Sequence, residues 1–173
     1  DSVFAVSLAF SEKTDDALIE DMETCYKALK TKFSSSGDAQ TAAQILAVAE
    51  GAPEEKAERV IDLYNALQES DVEYGRSREL APLATLSSID STIQDLVEEI
   101  KEVDAFLKTQ KDYESGKDKE RAMHAVMIVS DQYACNSQVN SAVMTTTLEM
   151  LIAKQKSLYL SLFLQSLQIA GQF

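Results

Sequence analysis

Apolar side chains between Asp15 and Phe33 recur at steps of three and four residues, which places them on one side of a helix with 3.6 residues per turn. The opposite side carries glutamates and lysines. Thr14 precedes two carboxylates, and this combination suits the exposed amides and the positive end of a starting helix. The pattern therefore predicts an amphipathic helix, whose apolar stripe consists of Leu18, Ile19, Met22, Cys25, Tyr26 and Leu29.

The same helical pattern returns after about 38 residues, because the segment Leu8 to Tyr26 aligns with the segment Leu46 to Tyr64. A third, looser copy begins at Leu86 and has Asp104 in place of the tyrosine. Each unit has the pattern of a helical hairpin, and one hairpin cannot bury its apolar face alone. The sequence thus predicts an all-α fold of stacked antiparallel hairpins, an α-solenoid-like bundle, with approximate repeats over residues 15–51, 53–88 and 91–133.

The two ends of the chain depart from this repeat. Residues 137–173 are expected to form closing helices, the last of them hydrophobic, which gives seven or eight helices in a single domain over residues 1–173. Residues 3–10 match only the second helix of a unit, and the chain begins at Asp1 without methionine. We therefore expect this to be the C-terminal part of a longer protein.

Several residues mark element boundaries or packing positions within the repeat. Pro53 suits the first turn of the second long helix, and Ser91 with Gln94 resembles a capping box for the third. Tyr26 and Tyr64 occupy equivalent positions in two copies, so we expect both rings to pack in the core with their hydroxyls at its edge.

The formal net charge of −13 limits the classes of partner. An acidic field repels phosphate backbones and anionic headgroups, so neither nucleic acid nor a membrane surface is expected to bind. The apolar stretch from Ser157 to Ala170 is shorter than the roughly 20 residues that a bilayer requires, and it is interrupted by glutamines. It has the pattern of a buried helix, which could alternatively form a contact between subunits.

Two cysteines, Cys25 and Cys135, are too few and too far apart to form a disulfide framework or a local CxxC motif. We interpret both as reduced thiols that act as small apolar groups. This interpretation predicts a cytoplasmic protein.

Candidate chemistry is sparse. His124 is the single histidine, and Glu120 lies one helical turn before it, at a spacing that could present two metal ligands. No second histidine is present to complete a site, so we expect neither a metal nor another cofactor. The sequence also contains no nucleophile elbow, phosphate-binding loop or calcium loop, so no residue is predicted to be catalytic.

One segment between the predicted repeats combines an aromatic ring with two guanidinium groups. Its candidate binding residues are Glu73, Tyr74, Arg76 and Arg78, and this mixture can hold a carboxylate or a peptide at an exposed connection. A solvated turn without a binding role is the alternative interpretation of these residues.

Three phrases carry a resemblance to a known family: the small-residue helix after FSSSGDAQ, the helix ERVIDLYNAL and the later RELAPLATL. They resemble an uncharacterised bacterial family, the domain of unknown function number four thousand and three. The resemblance implies a longer, wholly helical cytoplasmic protein without an established activity, and it assigns no functional residue.

Stacked helical hairpins commonly present a groove to a protein or peptide, so we predict a non-catalytic protein-interaction module. Two alternatives stay open at this point. One is an enzyme or small-ligand binder with a pocket between hairpins, and the other is a structural homo-oligomer joined through the C-terminal helix.

Overall fold

The computed structural model describes residues 13–113 and 118–136, and this part of the chain contains helices and their connections but no β-strand. The predicted all-α fold class is therefore confirmed. In these ranges six α-helices and one 3₁₀ turn follow in the order α1 Asp15–Lys30, α2 Ser36–Val48, α3 Pro53–Glu69, α4 Leu80–Ser87, α5 Ile93–Lys108, the turn Lys111–Tyr113 and α6 Asp118–Asn136.

Threonine side chains cap two of the long helices. The Oγ1 atom of Thr14 accepts a hydrogen bond from a first-turn amide of α1 at 3.4 Å, and that of Thr92 accepts one from the amide of Asp95 in α5 at 3.1 Å. The prediction that Ser91 caps α5, with Gln94 as its capping-box partner, is wrong by one residue. Thr92 is the residue that directly precedes the first helical position and can reach the unpaired amide.

The helices pack in two rows that enclose one hydrophobic core. Helices α1, α3 and α5 contact each other in succession, as do α2, α4 and α6, and each odd-numbered helix also contacts the helix that follows it. Consecutive helices therefore pack as pairs, and neighbouring pairs are in contact. The antiparallel orientation within each pair and the repeat itself stay predictions.

The predicted ranges 15–51 and 53–88 each contain one such pair, and the range 91–133 contains α5 and most of α6. The predictions for residues 3–10 and for the closing helices at 137–173 lie outside the described residues, so the domain division stays a prediction. None of the described helices combines the length and the apolar character that crossing a membrane requires.

Helix α4 is buried along its whole length. All 8 of its residues are buried, and it contacts α2, α3 and α6. Its sequence LAPLATLS carries no charge, so its burial leaves no ionic group without water. Helix α4 therefore presents no exposed face.

The two repeat tyrosines pack as predicted. Tyr64 is 2% exposed, and its ring meets that of Phe33 edge to face, with 5.2 Å between the ring centroids. Tyr26 is partly buried against the same core. Both rings therefore contribute to packing, and Tyr64 contacts the part of the molecule that contains the candidate binding residues.

Candidate binding site

The connection between α3 and α4 contains all four predicted binding residues, and its path is set by the end of α3. Asp71 adopts a left-handed backbone conformation with φ of 63°, which reverses the chain direction. The amide of Val72 then donates to the carbonyl of Leu67 at 3.2 Å, and the Val72 side chain is buried. These contacts form a helix-ending motif that usually has glycine where this chain has Asp71.

Tyr74 anchors the connection from inside. Its ring is 2% exposed, and its hydroxyl donates to the carbonyl of Glu79 at 2.7 Å. Burial, together with the nearby charge of Glu79, raises the pKa of Tyr74 well above its ordinary value. The expectation that Tyr74 supplies an exposed aromatic surface is therefore wrong, because the hydroxyl finds a backbone acceptor that lets the whole ring enter the core.

Glu79 fixes the second half of the connection. Its side chain is 7% exposed, and its Oε2 atom accepts a hydrogen bond from the amide of Ser77 at 3.1 Å. The carboxylate lies directly against Gly75, where a Cβ atom would overlap with it. A side chain at position 75 would therefore force the Glu79 carboxylate to move, and in its present position this buried carboxylate holds the backbone at Ser77.

Arg76 projects from this fixed backbone onto the ring of Tyr64. Its Nε atom donates to the Tyr64 hydroxyl at 2.7 Å, and its Cζ atom lies 5.6 Å from the ring centroid. Lys32, which follows α1, approaches the same ring with its Nζ atom 5.7 Å from the centroid. Lys32 could not be predicted from the sequence, since no local pattern relates it to Arg76 and only the packing of both on Tyr64 brings them near the same ring.

The surface around this connection carries charges of both signs, since Lys32, Arg76 and Arg78 are exposed together with Asp71 and Glu73. Lys32 and Arg76 are exposed, and within the described ranges neither forms an ion pair. Arg78 is 60% exposed and lies 3.7 Å from Glu79. We call Lys32, Arg76 and Arg78 the cationic patch. Glu73 is also exposed. It forms an ion pair, 3.7 Å long, with Lys119 of α6, which does not belong to the patch.

The two other arginines of the chain are committed to the fold. Arg121 is 7% exposed and makes two hydrogen bonds to Asp104, at 2.9 and 3.2 Å, and these bonds contribute most to its raised pKa. Arg59 donates to backbone carbonyls at the end of α4, those of Ser87 at 2.7 Å, Ile89 at 3.0 Å and Ser91. Arg76 and Arg78 differ from both because their guanidinium groups face solvent.

A second charged cluster stabilises the end of α2. The Nζ atom of Lys13 donates to Asp21 at 2.7 Å and to the carbonyl of Ala49 at 3.0 Å, and buried Lys56 donates to the same carbonyl at 2.9 Å. Burial acts to raise the pKa of Asp21, but the hydrogen bonds and charges of Lys13 and Lys56 outweigh it and lower that pKa. The lysines satisfy carbonyls that the helix leaves unpaired, which is a structural role.

Cys25 lies beside this cluster and is 0% exposed. Burial raises the pKa of its thiol to about 11, and the positive charge of Lys56 opposes this only in part. The thiol donates to the carbonyl of Pro53 at 3.3 Å. It is protonated at neutral pH and inaccessible, so the interpretation of Cys25 as a packed thiol is confirmed.

The weak metal candidates Glu120 and His124 lie on α6. The Nδ1 atom of His124 is 2.5 Å from the hydroxyl of Tyr113, and the two rings meet edge to face with centroids 5.7 Å apart. No group of three or more potential ligands that could hold a metal ion occurs among the described residues. The visible role of His124 is to join α6 to the 3₁₀ turn that precedes it.

Comparison with known proteins places the chain in a family. The family model described as "Protein of unknown function (DUF4003)" matches residues 1–157, so the chain belongs to this family, and the resemblance seen in the sequence is confirmed. Neither a curated protein nor a solved structure matches the chain significantly. A function for the patch therefore has to be argued from its own geometry.

Proposed function

We propose that this DUF4003 protein is a non-catalytic interaction module that binds a protein or peptide partner through the cationic patch. The observation that carries the proposal is that Arg76 and Arg78 are exposed on a connection whose backbone is held by the buried side chains of Tyr74 and Glu79. A fixed backbone reduces the conformational entropy that the site loses on binding.

The chemistry of the patch favours a partner that offers carboxylates. Guanidinium groups form charge-assisted, often bidentate hydrogen bonds with carboxylates, and such contacts are roughly twice as strong as neutral ones. Arginines are also enriched among the residues that dominate protein interfaces. The residues of the patch thus suit a short segment with an acidic side chain or a free C-terminus.

The charge of the whole chain favours a small contact over an extended anionic one. With a net charge of −13, the protein repels a polyanion at long range, whereas a short segment meets mainly the local field of the patch. This reasoning supports a peptide or protein partner and argues against nucleic acid as a ligand.

The proposal is tested by selecting peptides from a random displayed library on the full chain and measuring their dissociation constants. Replacement of both Arg76 and Arg78 by alanine is expected to weaken selected peptides at least about tenfold, the effect of losing one charge-assisted contact. Replacement of Lys101 and Lys108 by alanine removes the same charge from exposed positions of α5 and serves as the matched control.

Both double variants lose two positive charges, so comparing them shows whether peptide affinity depends on the patch or only on the net charge. Selected peptides should bind the Lys101/Lys108 variant within about twofold of the unaltered protein, because exposed charges at a distance are screened by salt. Equal affinities for the unaltered protein and the Arg76/Arg78 variant, or failure to select any peptide, would contradict the proposal.

We also propose that the protein is cytoplasmic and bacterial. Cys25 is an unpaired and fully buried thiol, and such thiols are typical of reducing compartments. The bacterial origin rests on the family resemblance. Fractionation of the native cell, with detection of this protein by antibody, would test the location.

A further inference from the structure

We infer that the cationic patch contains a subsite for a single carboxylate, bound by the outer edge of the Arg76 guanidinium with Lys32 as the second charge. This inference rests on the proposed function and specifies the chemistry of its ligand. Tyr64 acts in it as a positioning residue, since its hydroxyl holds Arg76.

One edge of the Arg76 guanidinium is already occupied. A guanidinium offers two edges for a bidentate contact, one with Nε and a terminal nitrogen and the other with both terminal nitrogens. The Nε atom of Arg76 is already bonded to the Tyr64 hydroxyl at 2.7 Å. Among the described residues no partner contacts the two terminal nitrogens, so the outer edge is the one left for a ligand.

Arg76 is supported both at its guanidinium and at its backbone. Tyr64 is 2% exposed and is packed edge to face against Phe33, so its hydroxyl occupies a fixed position in the core. The backbone on the other side of Arg76 is fixed by the buried Glu79. Arg76 is therefore held at both ends, which aligns its outer edge before a ligand arrives.

Lys32 supplies the second positive charge. Its ammonium group lies 5.7 Å from the centroid of the same ring and forms no ion pair within the described ranges. Lys32 therefore adds positive charge near the ring whose hydroxyl holds Arg76, which favours an anion at the outer edge of Arg76. The two terminal nitrogens of the outer edge match the two oxygens of a carboxylate.

A monoanion fits this protein better than a phosphate dianion. Exposed Asp71 and Glu73 lie in the same connection as Arg76 and partly offset the positive charge of the patch, and the net charge of −13 adds a long-range repulsion that is twice as large for a dianion. We therefore expect the carboxylate to be preferred, whether it belongs to a C-terminus or to an acidic side chain.

Arginine side-chain nuclear magnetic resonance on the full chain tests the subsite with sodium acetate as the probe. Acetate should shift the Arg76 signals saturably, whereas sodium chloride at equal ionic strength should not. Sodium phosphate is the competing probe. Saturation by phosphate at about tenfold lower concentration than acetate would overturn the preference for a carboxylate.

Three variants test the residues separately. Arg76→Lys keeps the charge but loses the two-nitrogen edge, so acetate affinity, followed through the remaining shifts around the patch, should fall about tenfold. Lys32→Gln should weaken acetate by a few-fold through the loss of one charge. Tyr64→Phe removes the hydroxyl that positions Arg76, so it should weaken acetate binding in the unaltered protein but add no further loss in a protein that already carries Arg76→Lys. Unchanged acetate affinity in Arg76→Lys, or additive losses in the double variant, would contradict the bidentate, Tyr64-positioned geometry.

The selected peptides distinguish failure of this inference from failure of the proposed function. Each peptide is compared with forms whose C-terminus is amidated or whose acidic side chains are replaced by amides. Loss of binding on one of these changes identifies the source of the carboxylate. Peptides that depend on Arg76 and Arg78 but tolerate both changes would refute the carboxylate subsite and leave the interaction module standing.

Discussion

Two connections, Thr31–Ser35 between α1 and α2 and Ser70–Glu79 between α3 and α4, occupy the same place in successive helix pairs. Each buries one aromatic ring, since Phe33 is 1% and Tyr74 is 2% exposed. The first is short and closes through its own polar groups, with the Ser35 hydroxyl bonded to the carboxylate of Asp38. The second is longer and contains a left-handed residue and a buried carboxylate.

The two connections differ in whether the buried ring forms a hydrogen bond. Phe33 is purely apolar and packs edge to face on Tyr64, whereas Tyr74 carries a hydroxyl that bonds to the backbone of its own connection. The second connection is thus braced internally and can extend Arg76 to the same Tyr64 ring. Both connections contact Tyr64. The longer one, Ser70–Glu79, brings Arg76 to the ring that Lys32 and Phe33 of the shorter one also contact.

The largest expected effect comes from removing the anchors. Tyr74→Ala and Phe33→Ala should each destabilise the protein by about 3 kcal/mol, because each leaves a cavity where a buried aromatic ring was packed. Tyr74→Phe should cost only about 1 kcal/mol, the value of one hydrogen bond. Urea unfolding followed by circular dichroism measures these changes. Equal stability of Tyr74→Ala and the unaltered protein would show that the second connection is not anchored by its ring.

Two glycines provide a sharper version of the comparison. Gly75→Ala should cost about 2 kcal/mol, because the Glu79 carboxylate must move away from the new Cβ atom and lose its hydrogen bond from the Ser77 amide. Gly37→Ala in the first turn of α2 meets no atom within 4 Å and should be neutral or stabilise by about 0.5 kcal/mol. Both substitutions lower the conformational entropy of the unfolded chain by a similar amount. The difference between their changes in unfolding free energy therefore reports the overlap at position 75.

A double variant identifies the cause of the Gly75 effect. In a Glu79→Ala background the space beside Gly75 is empty, so adding Gly75→Ala should cost much less than in the unaltered protein. Urea unfolding of the four proteins of this cycle gives the coupling. Additive losses would locate the cost of Gly75→Ala in the backbone instead of the carboxylate.

The smallest expected effect is a difference in alkaline stability. The folded state keeps Tyr74 neutral because its pKa is raised by burial and by the charge of Glu79, whereas an unfolded tyrosine ionises near pH 10. The contribution of neutral Tyr74 to the free energy of unfolding is complete below about pH 10. It is lost as the pH rises further, by up to about 1.4 kcal/mol per pH unit. The ring in Tyr74→Phe cannot ionise, like that of Phe33. This variant should therefore lack this part of the pH dependence of the unfolding free energy.

Unfolding free energies of the two proteins at about pH 8 and about pH 11 measure this difference. The gap between unaltered protein and Tyr74→Phe should narrow or reverse at the higher pH. A constant gap would indicate that Tyr74 titrates alike in the folded and unfolded states.

The helices could be predicted from the sequence because their signals are local. The apolar stripe of α1, the proline at the start of α3 and the uncharged α4 each act within a few residues. The misplaced cap of α5 shows the limit of such signals. Ser91 and Thr92 are chemically alike, and the backbone conformation decides which hydroxyl faces the Asp95 amide.

The candidate site was predictable only in part. Arg76 and Arg78 could be recognised from composition, since they are two of the few arginines in an acidic chain. Tyr74 could not be recognised as buried, because its burial depends on a hydroxyl acceptor that the path of the chain provides. Lys32 could not be found at all, because it is far from Arg76 in sequence and is related to it only through the Tyr64 ring.

The amino-acid sequence by itself determined the helical class, the approximate extent of the helices, the acidic surface and the membership of the family. These properties follow from composition and from periodicities that act over one or two turns. The tertiary structure decided which aromatic residues are buried and which cations share a surface. Those outcomes depend on side chains from separate helices competing for the same space, and no single stretch of sequence contains that competition.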